Sequence, residues 1–249
     1  AEKAEILLPA MAIYKAILEL SSAKRIIVPA VSILDVVMFS TLYPKRAQRE
    51  ELAFYQNTIL SARSIGQKYD YNQAHADKVE EFVLKIFDET QKVHGLGERA
   101  RILLQVATIL HDVGKFISLK RHYYNSYDLI RSSNILGFNN REVEIVANIA
   151  RYHSSKIPRE KDRSYNKLRH EDRILMSKLV SILRLAEALD RGHRDKFNSL
   201  VIKLKENQLI ITIITNEPTL LEEWMFKQKS NLFEEVFGIK TKLEKKDRW

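Results

Sequence analysis

Hydrophobic positions recur at helical spacing over most of this chain and switch to alternation only near its C-terminal end. Ile6, Ala10, Ile13, Ile17 and Leu20 predict an amphipathic helix over residues 4–20, followed by an apolar strand over 25–28. Ser32 is placed to cap a further helix running to about Phe39. This helix–strand–helix unit is too small to hold a core of its own, and a linker with Pro44, Lys45 and Arg46 leads away from it. From about Gln48 to Gly192 the pattern predicts almost continuous helix. Val79, Phe82, Val83, Ile86 and Phe87 form one stripe, and Leu179, Leu183 and Ala186 share a face between Glu171 and Asp190. Asn139 and Glu142 have the spacing of a capping box, opening a helix through Ile145, Ile149 and His153. Ser154 to His170 reads as a long basic loop, a length usually kept for functional or mobile segments.

Beyond residue 196 the period becomes two. Leu200, Ile202 and Leu204 alternate with polar residues, Glu206-Asn207 reads as a turn, and residues 209–214 return as a second strand, although the turn lacks glycine. Pro218 suits the first turn of a helix carrying Leu221, Trp224, Met225, Leu232 and Phe233. Gly238 then separates it from a final strand over 239–243. The expected fold class is mainly α: a helical domain over 46–196, a short unit over 1–45, and a small α+β domain over 197–249.

A chain of 249 residues can bury a sizeable core. No apolar run reaches the length of a membrane span and the start lacks a signal-peptide pattern, so no membrane partner is expected and the expected location is cytoplasmic. The start at Ala-Glu-Lys, inside a predicted helix, suggests a piece of a longer protein. Zero cysteines exclude disulfides and thiolate metal sites. A net charge of +9 points to a polyanionic partner. Its basic residues crowd the stretch from Lys115 through Arg151, Lys156 and Arg163 to Arg173, diluted by Glu160, Asp162, Glu171 and Asp172.

The candidate chemistry lies where the apolar run Ile102 to Leu110 ends in His111-Asp112-Val113-Gly114-Lys115. A buried imidazole beside a carboxylate needs partners, and a bound cation is the usual one. His75 lies one turn before Val79 on its apolar stripe, and Asp190 one turn beyond Ala186. Singly, His75 could be a core histidine bonded to a carbonyl, Asp190 could cap a helix or pair with Arg191 or Arg194, and His111-Asp112 could end in solvent. Together, His75, His111, Asp112 and Asp190 make a candidate site for a divalent metal ion: Mg, Mn, Fe or Zn. Asp112 would then hold metal and orient a water, and Lys115 would neutralise charge developing on a phosphate. These two are the candidate catalytic residues.

The order His…His-Asp…Asp, with Lys115 completing HDxGK, resembles the HD superfamily of metal-dependent phosphohydrolases. Residues 111–117, 126–130, 136–138, 151–153 and 185–193 (LAEALDRGH) resemble, in order, the C-terminal half of the exopolyphosphatase/guanosine pentaphosphatase family. The stretch from EILLPA to DVVMF resembles the end of that family's actin-like phosphatase region. The resemblance implies the tail of an actin-like domain over 1–45 and an HD-type helical domain over 46–196. It also implies hydrolysis or binding of polyphosphate or a phosphorylated nucleotide such as guanosine pentaphosphate. The family's upstream Gly-rich phosphate loops and catalytic carboxylate have no counterpart here, which leaves a non-catalytic regulatory binding module as the alternative. Arg151, His153, Arg191, His193 and Arg194 are nominated as phosphate contacts, because guanidinium forks suit phosphate; pairing with Asp190 or Glu187 is the competing reading. Asn125 stands where the family often has a His, near the second-metal ligand of two-metal HD enzymes. That puts a dinuclear centre in doubt: His122, three residues away, could substitute, with a surface histidine as the competing and preferred reading. No nucleic-acid motif is present, so nucleic acid is not expected as a partner. Packing in trans as a homodimer would bury the small N-terminal unit.

Overall fold

The computed structural model describes residues 2–21, 23, 25, 38, 42, 44–154, 156–192, 196–197 and 199–247. The expected strand over 25–28 and the helix capped by Ser32 lie, apart from residues 25 and 38, outside the described residues, as do His193 and Arg194. The chain divides into two compact units, residues 1–51 and 52–249. The first contains α1 (Glu2–Leu20), with Pro9 inside it. The next helix, α2, spans Pro44–Lys68. Pro44, expected in a linker, opens this helix instead, because its fixed φ and missing N–H are tolerated in a first turn.

In the second unit the helical pattern resolves into α3 (Gln73–Glu89), α4 (Gln91–His94), α5 (Glu98–Leu110), α6 (His122–Ser132), α7 (Asn140–Tyr152), α8 (Arg163–Asn166) and α9 (His170–Leu189). The fold is mainly α with a small C-terminal sheet, as expected. Asn72 caps α3 by accepting from the backbone N–H of His75 at 3.1 Å. The Asn139/Glu142 capping box opens α7. The expected long loop between α7 and α9 is interrupted by the single turn α8. Helix α5 packs on α3 and α7, and α9 packs on all three. Phe82, Ile86, Leu104, Leu110, Ile149, Leu179 and Leu183 fill the space between them and are essentially inaccessible. Each such side chain contributes roughly 1.5–3 kcal/mol relative to exposure, so this core fixes where the helix ends fall.

The C-terminal part is a three-stranded sheet in the order β1 (Ser199–Lys205), β2 (Gln208–Ile214), β3 (Lys240–Lys246), with α10 (Leu220–Phe237) between β2 and β3. The predicted hairpin joins β1 and β2. Glu206 takes the left-handed φ of 43° that a glycine would have occupied. Strand β3 runs parallel to β2, with α10 as the crossover. Leu200, Ile202, Leu209, Ile211 and Ile213 face inward as the alternation requires. Helix α10 packs along α9. Among the described residues no helix is long and apolar enough to cross a membrane.

The link between α5 and α6 is a 3-10 turn, Val113–Phe116. Its N–H at Gly114 donates to Ser126 Oγ at 2.9 Å. A Cβ on Gly114 would stand 2.1 Å from the His122 carbonyl oxygen and 2.3 Å from the Ser126 nitrogen. Backbone is close on that side, so only glycine lets the first turn of α6 approach the end of α5. Gly114→Ala is therefore expected to cost about 1–3 kcal/mol or more through overpacking, read as a lowered urea midpoint. An unchanged midpoint would show that the two segments separate freely.

Candidate metal centre

Helices α5 and α7 each end in a histidine that is bound in the same way. His111 Nδ1 donates to the Thr108 carbonyl at 2.6 Å, and His153 Nδ1 donates to the Ala150 carbonyl at 2.6 Å. The last carbonyls of a helix lack intrahelical donors, so an imidazole three residues on supplies one. His122, at the start of α6, does likewise toward the Leu119 carbonyl at 3.1 Å. His75, in the first turn of α3, donates from Nδ1 to Asp190 Oδ2 at 2.6 Å. In all four rings the acceptor is a carbonyl or carboxylate, so Nδ1 carries the proton and a neutral ring keeps its lone pair on Nε2.

All four Nε2 atoms face Asp112. Those of His75 and His111 lie 3.8 and 3.4 Å from its Oδ2. Those of His122 and His153 lie 3.2 and 3.6 Å from its Oδ1, which makes no hydrogen bond. His75, His111 and His153 are at most 3% exposed. Nε2 of His111 has no hydrogen-bond partner. Nε2 of His122 and Nε2 of His153 stand 3.3 Å apart. Two lone pairs that close need a proton or a cation between them. Two imidazoles on one tetrahedral ion, with bonds of about 2.0–2.1 Å, would also have nitrogens roughly 3.3 Å apart.

Two sets of donors thus share one carboxylate: His75, His111 and Asp112, and Asp112, His122 and His153. Within each, the donor atoms lie within 4.8 Å of one another. Burial works against the Asp112 charge, and it is positive charge on the facing imidazoles, foremost His111 and then His122 and His153, that outweighs it and holds the carboxyl well below its usual range. Burial, aided by His111, pushes the His153 imidazole well down, toward the neutral form that a cation would need.

The predicted residues are placed as follows. His75, His111 and Asp112 meet. Asp190 stands behind His75, on Nδ1. Lys115 lies with its ammonium 2.5 Å from Asp112 Oδ2 and about a third exposed. Arg151 stacks on the rings of Tyr124 and Tyr127, 4.4 and 5.1 Å from their centroids. Arg191 pairs with Glu187 at 3.2 Å. His153, nominated as a phosphate contact, faces Asp112. His122, read as a surface residue, is only 17% exposed at its side chain and belongs with it. The sequence pointed to His122 only as a possible substitute beside Asn125; what brings it in is Gly114, whose missing Cβ admits α6, a contact that is not local in sequence.

The family model of the Ppx/GppA phosphatase, domain III, matches residues 59–235, well over half the chain and all of the helices that form this site. No curated protein matches the chain. Replacing Asp190 would test the geometry behind His75. Asp190→Ala leaves a buried N–H without an acceptor and should cost about 1–3 kcal/mol in urea unfolding, with Asp190→Asn, which keeps an acceptor, losing less. Equal stability of both variants with the native chain would show that His75 is held some other way.

Proposed function

Because the chain belongs to the Ppx/GppA phosphatase family, we propose that its helical region is a metal-dependent phosphohydrolase centre. It acts on a phosphoanhydride or phosphoester bond in polyphosphate or in a phosphorylated nucleotide such as guanosine pentaphosphate. The observation that carries this reading is the convergence of four Nε2 atoms on both oxygens of Asp112. The donors are imidazole and carboxylate with no thiolate, a set suited to iron, manganese or zinc and less selectively to magnesium. His75, His111 and Asp112 would hold one ion, and Asp112, His122 and His153 a second. Such ions supply Lewis-acid polarisation of a phosphoryl oxygen and ready ionisation of a water at neutral pH.

The chain's own groups do the rest. Asp190 fixes the tautomer and orientation of His75, as carboxylate partners of metal-bound histidines do. The Thr108 and Ala150 carbonyls do the same for His111 and His153. Lys115, partly exposed, is the cation placed to meet a phosphoryl group arriving at Asp112. Beyond it, Arg121, Arg151 and Lys156 gather on the Tyr124 ring, and none makes an ion pair with a carboxylate among the described residues. They form a cationic rim for the remaining phosphates. Arg191 is committed to Glu187 and contributes less.

The test is hydrolysis by the purified chain loaded with manganese, iron or zinc, on inorganic polyphosphate and guanosine pentaphosphate. Asp112→Ala should lose both bound metal and turnover. Lys115→Ala should keep the metal and lose about 10²–10³-fold in rate. Metal and turnover both intact in Asp112→Ala would contradict the assignment. Stoichiometric metal with substrate bound but not cleaved would favour the non-catalytic binding module.

A further inference from the structure

One buried lysine from the C-terminal α+β part reaches this centre. Lys229, on α10, is 3% exposed, as is Glu187 on α9, and the two side chains meet as an ion pair. Lys229 Nζ also donates to the main-chain carbonyl of His153 at 3.3 Å. One residue earlier, the Tyr152 carbonyl accepts from the equally buried Arg184 of α9 at 3.3 Å. The terminal carbonyls of α7, which carries His153 as its C-cap, thus receive their donors from two buried cations.

Glu187 lies three residues before Asp190, on the same helix. The Lys229 ammonium therefore ties together the ends of the two helices that deliver His153 and Asp190.

We propose that Lys229 is a positioning residue: through the His153 carbonyl and Glu187 it sets the imidazole that completes the Asp112–His122–His153 set. On this view the α+β part is a working piece of the centre and not an appendage. The inference rests on the two-ion reading above for its effect on metal, but the geometry it asserts exists without metal, and the test separates the two. Removing Lys229 alone leaves the buried Glu187 carboxylate with only the partly exposed Arg191 as a partner and could unfold the chain, so the informative variant is Lys229→Met/Glu187→Gln. Lys229→Arg, which can still donate to the carbonyl, serves as the rescue.

In the full metal-free chain, the imidazole ¹⁵N resonances of His153 should shift in the double variant and return toward native in Lys229→Arg. Those of His94, held by the Phe87 carbonyl far along the chain, should not move. On titration with manganese or zinc, the native chain should take two equivalents. The double variant should take one tightly, with the second weakened about 10–100-fold, the range typical of lost outer partners of metal ligands. Unchanged His153 resonances together with two undiminished equivalents in the double variant would overturn the proposal. A native chain that takes no metal, while His153 still shifts as expected, would overturn the two-ion reading and leave the positioning role standing.

Discussion

Everything in this structure turns on an arrangement that is unfavourable by itself: four histidines and an aspartate bring their acceptor atoms to one place inside a helical core. The Nδ1–H groups are spent on carbonyls and on Asp190, so lone pairs and a carboxylate face one another across 3–4 Å. Three of the four rings are almost wholly removed from water. Acceptors that close and that dry repel unless positive charge sits among them. Lys115 reaches only Oδ2 of Asp112. A divalent cation on each side of the carboxylate would satisfy the remaining atoms.

The fold holds this arrangement together by bringing helix ends to one point. His75 comes from the start of α3, His111 from the end of α5, His122 from the start of α6, His153 from the end of α7, and Asp190 from the end of α9. Helix ends are where unpaired carbonyls need donors. The same hydrogen bonds that finish α5 and α7 therefore aim His111 and His153. The apolar packing of α3, α5, α7 and α9 sets the distances between those ends. Gly114 permits the last approach, that of α6, and Lys229 ties in the C-terminal part. Stability and the geometry of this cluster share the same few contacts, so few of the polar residues here can change without consequence for both.

Much of the helical framework was legible in the chain, because burial of one face per helix imposes a period that the residues carry. The Asn139/Glu142 box and the Glu206-Asn207 hairpin were legible for the same local reason. His75, His111, Asp112 and Asp190 could be connected because each ends or begins an apolar stripe and their order resembles that of the HD superfamily. His122 entered only as a possible substitute for the residue at Asn125, with a surface position preferred, since its approach depends on Gly114 on the other side of a turn. Lys229 could not be connected: a lysine in an amphipathic helix reads as solvent-facing until a buried carboxylate is found opposite it. The parallel pairing of β3 with β2 likewise depends on a crossover that periodicity does not encode. Local rules report the elements; the site depends on which ends of them meet.

The most direct measurement is anomalous diffraction from crystals of the chain soaked in manganese. The account predicts two peaks flanking Asp112, one against His75 and His111 and the other against His122 and His153. No anomalous density beside Asp112, with manganese and again with iron and zinc, would contradict it.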